Sequence, residues 1–234
     1  MNIIYMPRKS NDPPLERHYN DMNQYYEIGI DEAGRGPLFG RLYCAAVVLP
    51  QDDSFDHSQM KDSKKFTSKE KIKNASDYIK ENALAWSVQY ADEKTIDSIN
   101  IRQAVLSTMR VCAKNVTDQI KDKYGSESNI FLLVDGNDFS PMYYQYKDTA
   151  METLQYTTVE GADRLYTHVA AASILAKVDR DEYILELCEQ HPELCDKYSI
   201  HTNKGYGAAK HIAGIKEHGI TKWHRKSYGI CKQY

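Results

Sequence analysis

The chain has 234 residues, 41% of them hydrophobic and 27% charged, with a formal net charge of −3. That length suits one domain with an ordinary core, and no apolar run nears the ~20 residues of a membrane helix, which excludes a helical membrane-spanning protein. Five scattered cysteines (Cys44, Cys112, Cys188, Cys195, Cys231), none in a C-x-x-C pair, and an N-terminus without an apolar signal core argue against a disulfide framework, a zinc site or secretion, and point to a reducing, cytoplasmic compartment.

Residues 1–24 contain "PRKSNDPP" and lack apolar periodicity, so a flexible N-terminal tail is expected there. Residues 26–30 and 42–49 read as two strands joined by a glycine-rich connection. A short helix is predicted over 69–79. Residues 84–90 alternate Leu84, Trp86, Val88 and Tyr90, a strand period, while Ile101, Val105 and Met109 recur at four-residue steps across a helix over 101–112. The continuous apolar run 130–134 suits a central strand, and 154–159 suits another.

"GADRLYTHVAAASILAKVDRDEYILELCEQ" follows, alanine-rich and free of Gly and Pro after Gly161, and predicts a long helix opening at Asp163. After "NKGYG" come one more helix and a basic end. Strands in hairpins, then strands alternating with helices, make the chain α/β, with a mixed sheet and helices packed on it. The boundaries expected are 25–200 for the main domain and 201–234 for a C-terminal helical segment. Charge is uneven: residues 201–234 carry seven Lys or Arg against one acid, Glu217, and residues 61–73 carry six lysines against Asp62 and Glu70. Both stretches suit phosphates as well as they suit solvated helix faces.

Four carboxylates fall at predicted element edges. Asp31 and Glu32 close the first strand, Asp135 closes "FLLVD", and Asp163 opens the long helix. Neighbouring strand ends lie only ~5 Å apart, so such acids can converge. Their mutual repulsion is relieved by hard divalent cations, Mg²⁺ or Mn²⁺. Two such ions about 4 Å apart activate a water and stabilise the leaving oxygen of a phosphodiester. Plainer roles exist: Asp163 as a helix N-cap and Asp135-Gly136 as a turn. Successive strand residues point to opposite faces, so Asp31 and Glu32 share a site only if the strand ends or bulges between them, which Gly34 permits.

The blocks "GIDEAGRGPLFG", "DSKK", "VDGN", "GAD…VAAASILAKVDRD" and "NKGYG…KH", in this order over residues 25–229, resemble the ribonuclease HII branch of the type 2 ribonuclease H family. "HRKSYG" near the end is similar to its bacterial members. The resemblance implies an RNase H-like mixed β-sheet flanked by helices, with the C-terminal helical segment contributing to substrate binding. It implies an endoribonuclease that cuts the RNA strand of RNA–DNA hybrids and incises 5′ of ribonucleotides embedded in duplex DNA, leaving 3′-hydroxyl and 5′-phosphate ends. The family's acids fall on Asp31, Glu32, Asp135 and Asp163, which would serve as catalytic and metal-binding residues for Mn²⁺ or Mg²⁺, two ions with substrate bound.

It further implies that the backbone of Gly34, Arg35 and Gly36 touches the 2′-hydroxyl, with Tyr206 adding a phenol to the same group. Ser63 and Lys64 would contact phosphate. Ser173 and Lys177, four apart on one helix face, would support the substrate or the site. Asp179 and Asp181, about four turns into the helix, are assigned to its solvated or structural face. His211 and His224 are candidates for proton transfer, though histidine outside a cleft is usually structural. The expected partners are an RNA–DNA hybrid and ribonucleotide-containing DNA duplex; no membrane contact is expected, and the chain is expected to be a monomer. A non-catalytic nucleic-acid binder and a junction resolvase on the same fold are the rival readings.

Overall fold

The computed structural model describes residues 13–19 and 25–234. Six strands form one mixed sheet in the order β3-β2-β1-β4-β6-β5. β1 (Tyr25–Ala33) pairs antiparallel with β2 (Leu42–Val48), which pairs antiparallel with β3 (Ala85–Ala91). On its other edge β1 runs parallel to β4 (Asn129–Asp135), and β4 parallel to β6 (Glu152–Val159). A three-residue edge strand, β5 (Met142–Tyr144), pairs antiparallel with β6.

Helices cover both faces, which explains why every residue of β2 is buried. Leu42, Cys44, Ala46 and Val48 face one core with Val105, Met109 and Cys112 of α2 (Glu93–Tyr124). Tyr43, Ala45 and Val47 face the opposite core, with Ile79 of α1 (Lys69–Asn82) and the 170–176 run of α3 (Thr167–Gln190). Helix α3 presses directly on β1. A Cβ added to Gly29 would lie 2.3 Å from the carbonyl carbon of His168, so glycine on the strand and small alanines on the helix are both required. This close approach lays α3 along β1, with Ser173 beside Asp31 and Arg180 beside Gly34.

After α3 come α4 (Glu193–Tyr198), α5 (Ile200–Asn203) and α6 (Ala209–His218). Their apolar residues, Leu194, Tyr198, Ile200 and Ile215, form a separate cluster with Ile184 and Leu187 of α3. The expected 200/201 boundary falls inside α5. All five cysteines are unpaired, four of them buried. Among the described residues no helix is long and apolar enough to cross a membrane.

Several elements differ from expectation for local reasons. β1 does not stop at Asp31 but continues in register through Glu32 and Ala33. α2 begins eight residues earlier than predicted; Asn100, at φ 64°, kinks it and breaks the periodicity of the first two turns. α3 begins at Thr167, and Asp163 belongs to a separate 3-10 turn, Ala162–Arg164, so it is not the N-cap of the long helix. The expected tail falls largely on residues 1–12 and 20–24, outside the described residues. The described part is held down: the Glu16 amide donates to the Leu165 carbonyl at 2.8 Å, the Thr167 amide donates to the Glu16 carbonyl at 3.0 Å, and Tyr19 stacks on Phe131.

This docking buries Glu27 on β1. One carboxylate oxygen accepts the Tyr19 amide at 3.0 Å, and the other has no partner among the described residues. Burial pushes the Glu27 carboxyl up to about 7, against the opposing pull of that amide. The folded state therefore holds a proton that the unfolded chain releases near pH 4.5. Stability should fall as pH rises from about 4.5 to about 7 and level off above. Glu27→Gln should flatten this slope and raise stability at pH 8 by about 1–3 kcal/mol, read from urea unfolding across pH.

Candidate active site

The carboxyl-terminal ends of β1 and β4, the 3-10 turn before α3, the first half of α3 and the loop after α5 surround one open cleft of about 810 Å³. Its lining includes the twelve residues given metal-binding or substrate roles from the sequence: Asp31, Glu32, Gly34, Arg35, Gly36, Ser63, Lys64, Asp135, Asp163, Ser173, Lys177 and Tyr206.

Asp31 and Glu32 reach the cleft without a bulge. Asp31 lies opposite Ala45, on the α3 face; Glu32 lies opposite Cys44, on the α2 face. The parallel partner β4 ends at Asp135, one residue beyond the Ile30–Val134 pair. Glu32 therefore stands past the end of β4, where a side chain from either face can turn into the same opening. The expected break between the two acids is unnecessary.

The acids feel one another. Asp31 is 5% exposed. Burial raises its carboxyl well above the usual range, and the charges of Glu32 and Asp135 raise it further; a Ser173 hydroxyl and the Glu32 amide, at 2.7 Å from Oδ1, pull the other way. Glu32 is raised by burial and by Asp135, against Arg35, whose guanidinium sits 3.7 Å away. Asp163, also 5% exposed, is raised by burial and then by Asp135 and Asp62, with Lys64 and Arg164 opposing. Asp135 accepts the Ala162 amide at 2.7 Å, which ties the end of β4 to the turn carrying Asp163.

Ser63 and Ser173 are both buried, with hydroxyls 3.1 Å apart. Ser173 also hydrogen-bonds to Asp31, so the two hydroxyls back that carboxyl from the α3 side. Lys64 remains at the rim, its amide held by the Asp62 carboxylate at 2.9 Å. Tyr206 is half exposed, and its ring edge lies 3.7 Å from where a Gly36 Cβ would sit.

Sequence reading missed some of the lining. Asp181 faces the cleft and pairs with Lys177 at 2.8 Å; the stripe Ser173, Lys177, Asp181 at four-residue steps was the available signal. Asp179 does pair away from the cleft, with Lys80 at 2.8 Å. Arg180 and Lys204 also line it, and no local pattern announced them. His211 and His224 do not. Both are buried, hydrogen-bonded to each other at 3.1 Å and edge-on to Phe39, in a structural role. Among the described residues no three His, Cys, Asp or Glu side chains are already drawn together tightly enough to ligate one ion. The donor set nevertheless fits hard divalent ions: four carboxylates, three of them desolvated and each raised further by the charge of Asp135, with Arg35 at 3.7 Å from Glu32 and Arg164 at 3.9 Å from Asp163 as counter-charges.

Comparison with known proteins gives a consistent result. The Ribonuclease HII family model matches residues 28–231. The chain is 37% identical to the Ribonuclease HII of Chlorobium luteolum over 218 residues, covering 92% of this chain and 94% of that one. Among solved structures it is similar to the ribonuclease H2 of Pyrococcus horikoshii OT3, with TM-score 0.66 and 20% identity over 88% of this chain and 95% of that one. A Bst-RNase HIII structure in complex with Mn²⁺ matches with TM-score 0.53 and 20% identity, over 85% of this chain and 64% of that one.

Proposed function

The chain belongs to the ribonuclease HII family and is an endoribonuclease acting on RNA–DNA hybrids, and from that premise we propose that its carboxylate cleft incises the 5′ side of a ribonucleotide in duplex DNA, leaving 3′-hydroxyl and 5′-phosphate ends. The observation that carries this reading is the convergence of Asp31, Glu32, Asp135 and Asp163 on one cleft with a glycine-flanked loop and Tyr206 on its rim.

A phosphodiester resists water because its anionic charge repels the nucleophile and its alkoxide leaves poorly. Positioning and charge neutralisation therefore supply most of the catalysis. Asp31, Glu32, Asp135 and Asp163 would hold Mg²⁺ or Mn²⁺, the latter being the ion bound in the HIII relative. Such ions, when bound, neutralise the phosphate and make a bound water acidic. The protein's own groups do the rest. Ser173 and the Glu32 amide hold the Asp31 carboxylate in one orientation. Lys64 neutralises a neighbouring phosphate and sets the register of the strand. The backbone of Gly34, Arg35 and Gly36 meets the one group that separates RNA from DNA, the 2′-hydroxyl. Tyr206 adds its phenol to that hydroxyl. The segment 201–234 brings its exposed lysines, Lys210, Lys216, Lys222, Lys226 and Lys232, to the flanking backbone.

The test is a labelled DNA duplex with a single ribonucleotide, incubated with Mg²⁺ or Mn²⁺. A single cut 5′ of that residue, and none in the all-DNA duplex, is expected. Metal-independent binding without a cut would make the protein a binder, and cutting of the all-DNA duplex would make it a resolvase-like nuclease. Tyr206→Phe should lower kcat/KM on the single-ribonucleotide duplex by about 3–10-fold, the worth of one neutral hydrogen bond, and lower it less on a long RNA tract. Equal losses on both would remove Tyr206 from sugar recognition.

A further inference from the structure

The sequence near the C-terminus contains "HRKSYG", and its arginine is absorbed by none of the roles above. Arg225 is 0% exposed. A buried guanidinium normally sits on a carboxylate, because desolvating an unpaired charge is costly. Here its direct partners are carbonyl oxygens of one loop. Nη2 donates to Gly34 O at 2.7 Å, Nη1 to Arg35 O at 3.1 Å and Nε to Gly40 O at 2.9 Å. The Arg225 amide donates to Leu38 O at 2.8 Å, and the Tyr228 hydroxyl adds a second donor to Arg35 O at 3.0 Å.

The consequence follows from peptide geometry. In a planar trans peptide the carbonyl of one residue and the amide of the next point in opposite directions. Holding the Gly34 and Arg35 carbonyls inward on Arg225 aims the amides of Arg35 and Gly36 the other way. Gly34, Arg35 and Gly36 all line the cleft, and Arg225 lies beneath them outside it. Gly34, at φ +92°, supplies the turn that allows this, and the Arg180 side chain packs where its Cβ would be, closing the other side of the loop. Neutral donors would tie the loop down more cheaply. A fixed fork of parallel N–H groups sets the directions of two consecutive peptides at once.

We propose that Arg225 is a positioning residue for ribose recognition: its buried fork orients the Arg35 and Gly36 amides as a preformed pair of donors for the 2′-oxygen of the substrate sugar. This rests on the functional reading above. Lysine at 225 keeps the charge but cannot hold two peptides in a fixed fork, and phenylalanine at 228 removes one donor while leaving the guanidinium in place.

The experiment measures, in chelator, the affinities of wild type, Arg225→Lys and Tyr228→Phe for a DNA duplex with one ribonucleotide and for the same duplex in all-DNA form. Amide ¹H–¹⁵N spectra of the free proteins accompany it. Arg225→Lys should lose about 10-fold in preference for the ribonucleotide duplex while binding the all-DNA duplex as wild type does, with the Arg35 and Gly36 resonances displaced and those of β1 in place. Tyr228→Phe should move the same quantities less. Affinities that fall together for both duplexes would reduce Arg225 to a structural brace. Unmoved Arg35 and Gly36 resonances in a folded Arg225→Lys protein would overturn the positioning alone. A wild type indifferent to the ribonucleotide would instead overturn the sugar-sensing role of the loop.

Discussion

Asp31→Asn is expected to lower cleavage by at least about 10³-fold while leaving the protein folded, with a thermal midpoint in chelator equal to or above that of wild type. The two halves of this result share a cause. Asp31 is buried beside Glu32 and Asp135, and burial together with those charges makes its ionised form costly. Against that cost stand hydrogen bonds from Ser173 and the Glu32 amide, while the Arg35 guanidinium pairs with Glu32. An amide of the same shape keeps an oxygen for the Glu32 amide and removes the repulsion, so stability is retained or gained. It also removes the anionic donor, so function is lost. A site assembled for activity at the expense of stability behaves in this way. Single-turnover cleavage and calorimetry check both halves. Near-normal turnover would take Asp31 out of the site, and a large fall in midpoint would make it a structural residue.

Much of this site was readable because its chemistry is concentrated at element ends. Asp31, Asp135 and Asp163 each follow or precede an apolar or alanine-rich run that reads as a strand or a helix, so the acids could be placed at element ends before any contact was known. The pressed contact of α3 on β1 was likewise legible in the Ala170, Ala171, Ala172 run, although its counterpart, Gly29, carries no signal of its own. What sequence could not supply was direction. That Glu32 can turn into the cleft from the opposite face depends on where β4 stops, a fact about a strand a hundred residues away. The boundary of α3 was misplaced because Gly161 and the 3-10 turn hold Asp163 apart from the helix it seemed to open. Arg180 and Arg225 were invisible for a different reason. A buried arginine bonded to carbonyls has no sequence partner, since every backbone offers the same acceptor.

Removal of divalent ions is expected to abolish cleavage, and their return to raise the thermal midpoint, with the second effect missing from Asp31→Asn. The acids line a common wall without yet being gathered closely enough to ligate. Binding should therefore draw them together and relieve the repulsion that lifts Asp31, Glu32 and Asp163 above the usual carboxylate range. Any ligand that binds only the folded state stabilises it by mass action, about 2.7 kcal/mol at a concentration 100 times its Kd. For a chain of this length that corresponds to a rise of roughly 5–10 °C. The shift should saturate with Mg²⁺ or Mn²⁺, because the available donors are carboxylate oxygens with no thiol or imidazole among them. Calorimetry against ion concentration reads the binding without reference to activity, and cleavage in chelator reads the dependence. Cleavage that persisted in chelator would mean that the acids act on the phosphodiester directly. A midpoint unmoved by either ion, or one raised equally in Asp31→Asn, would place the ions elsewhere and leave four carboxylates, three of them desolvated, without a physical reason to share one cleft.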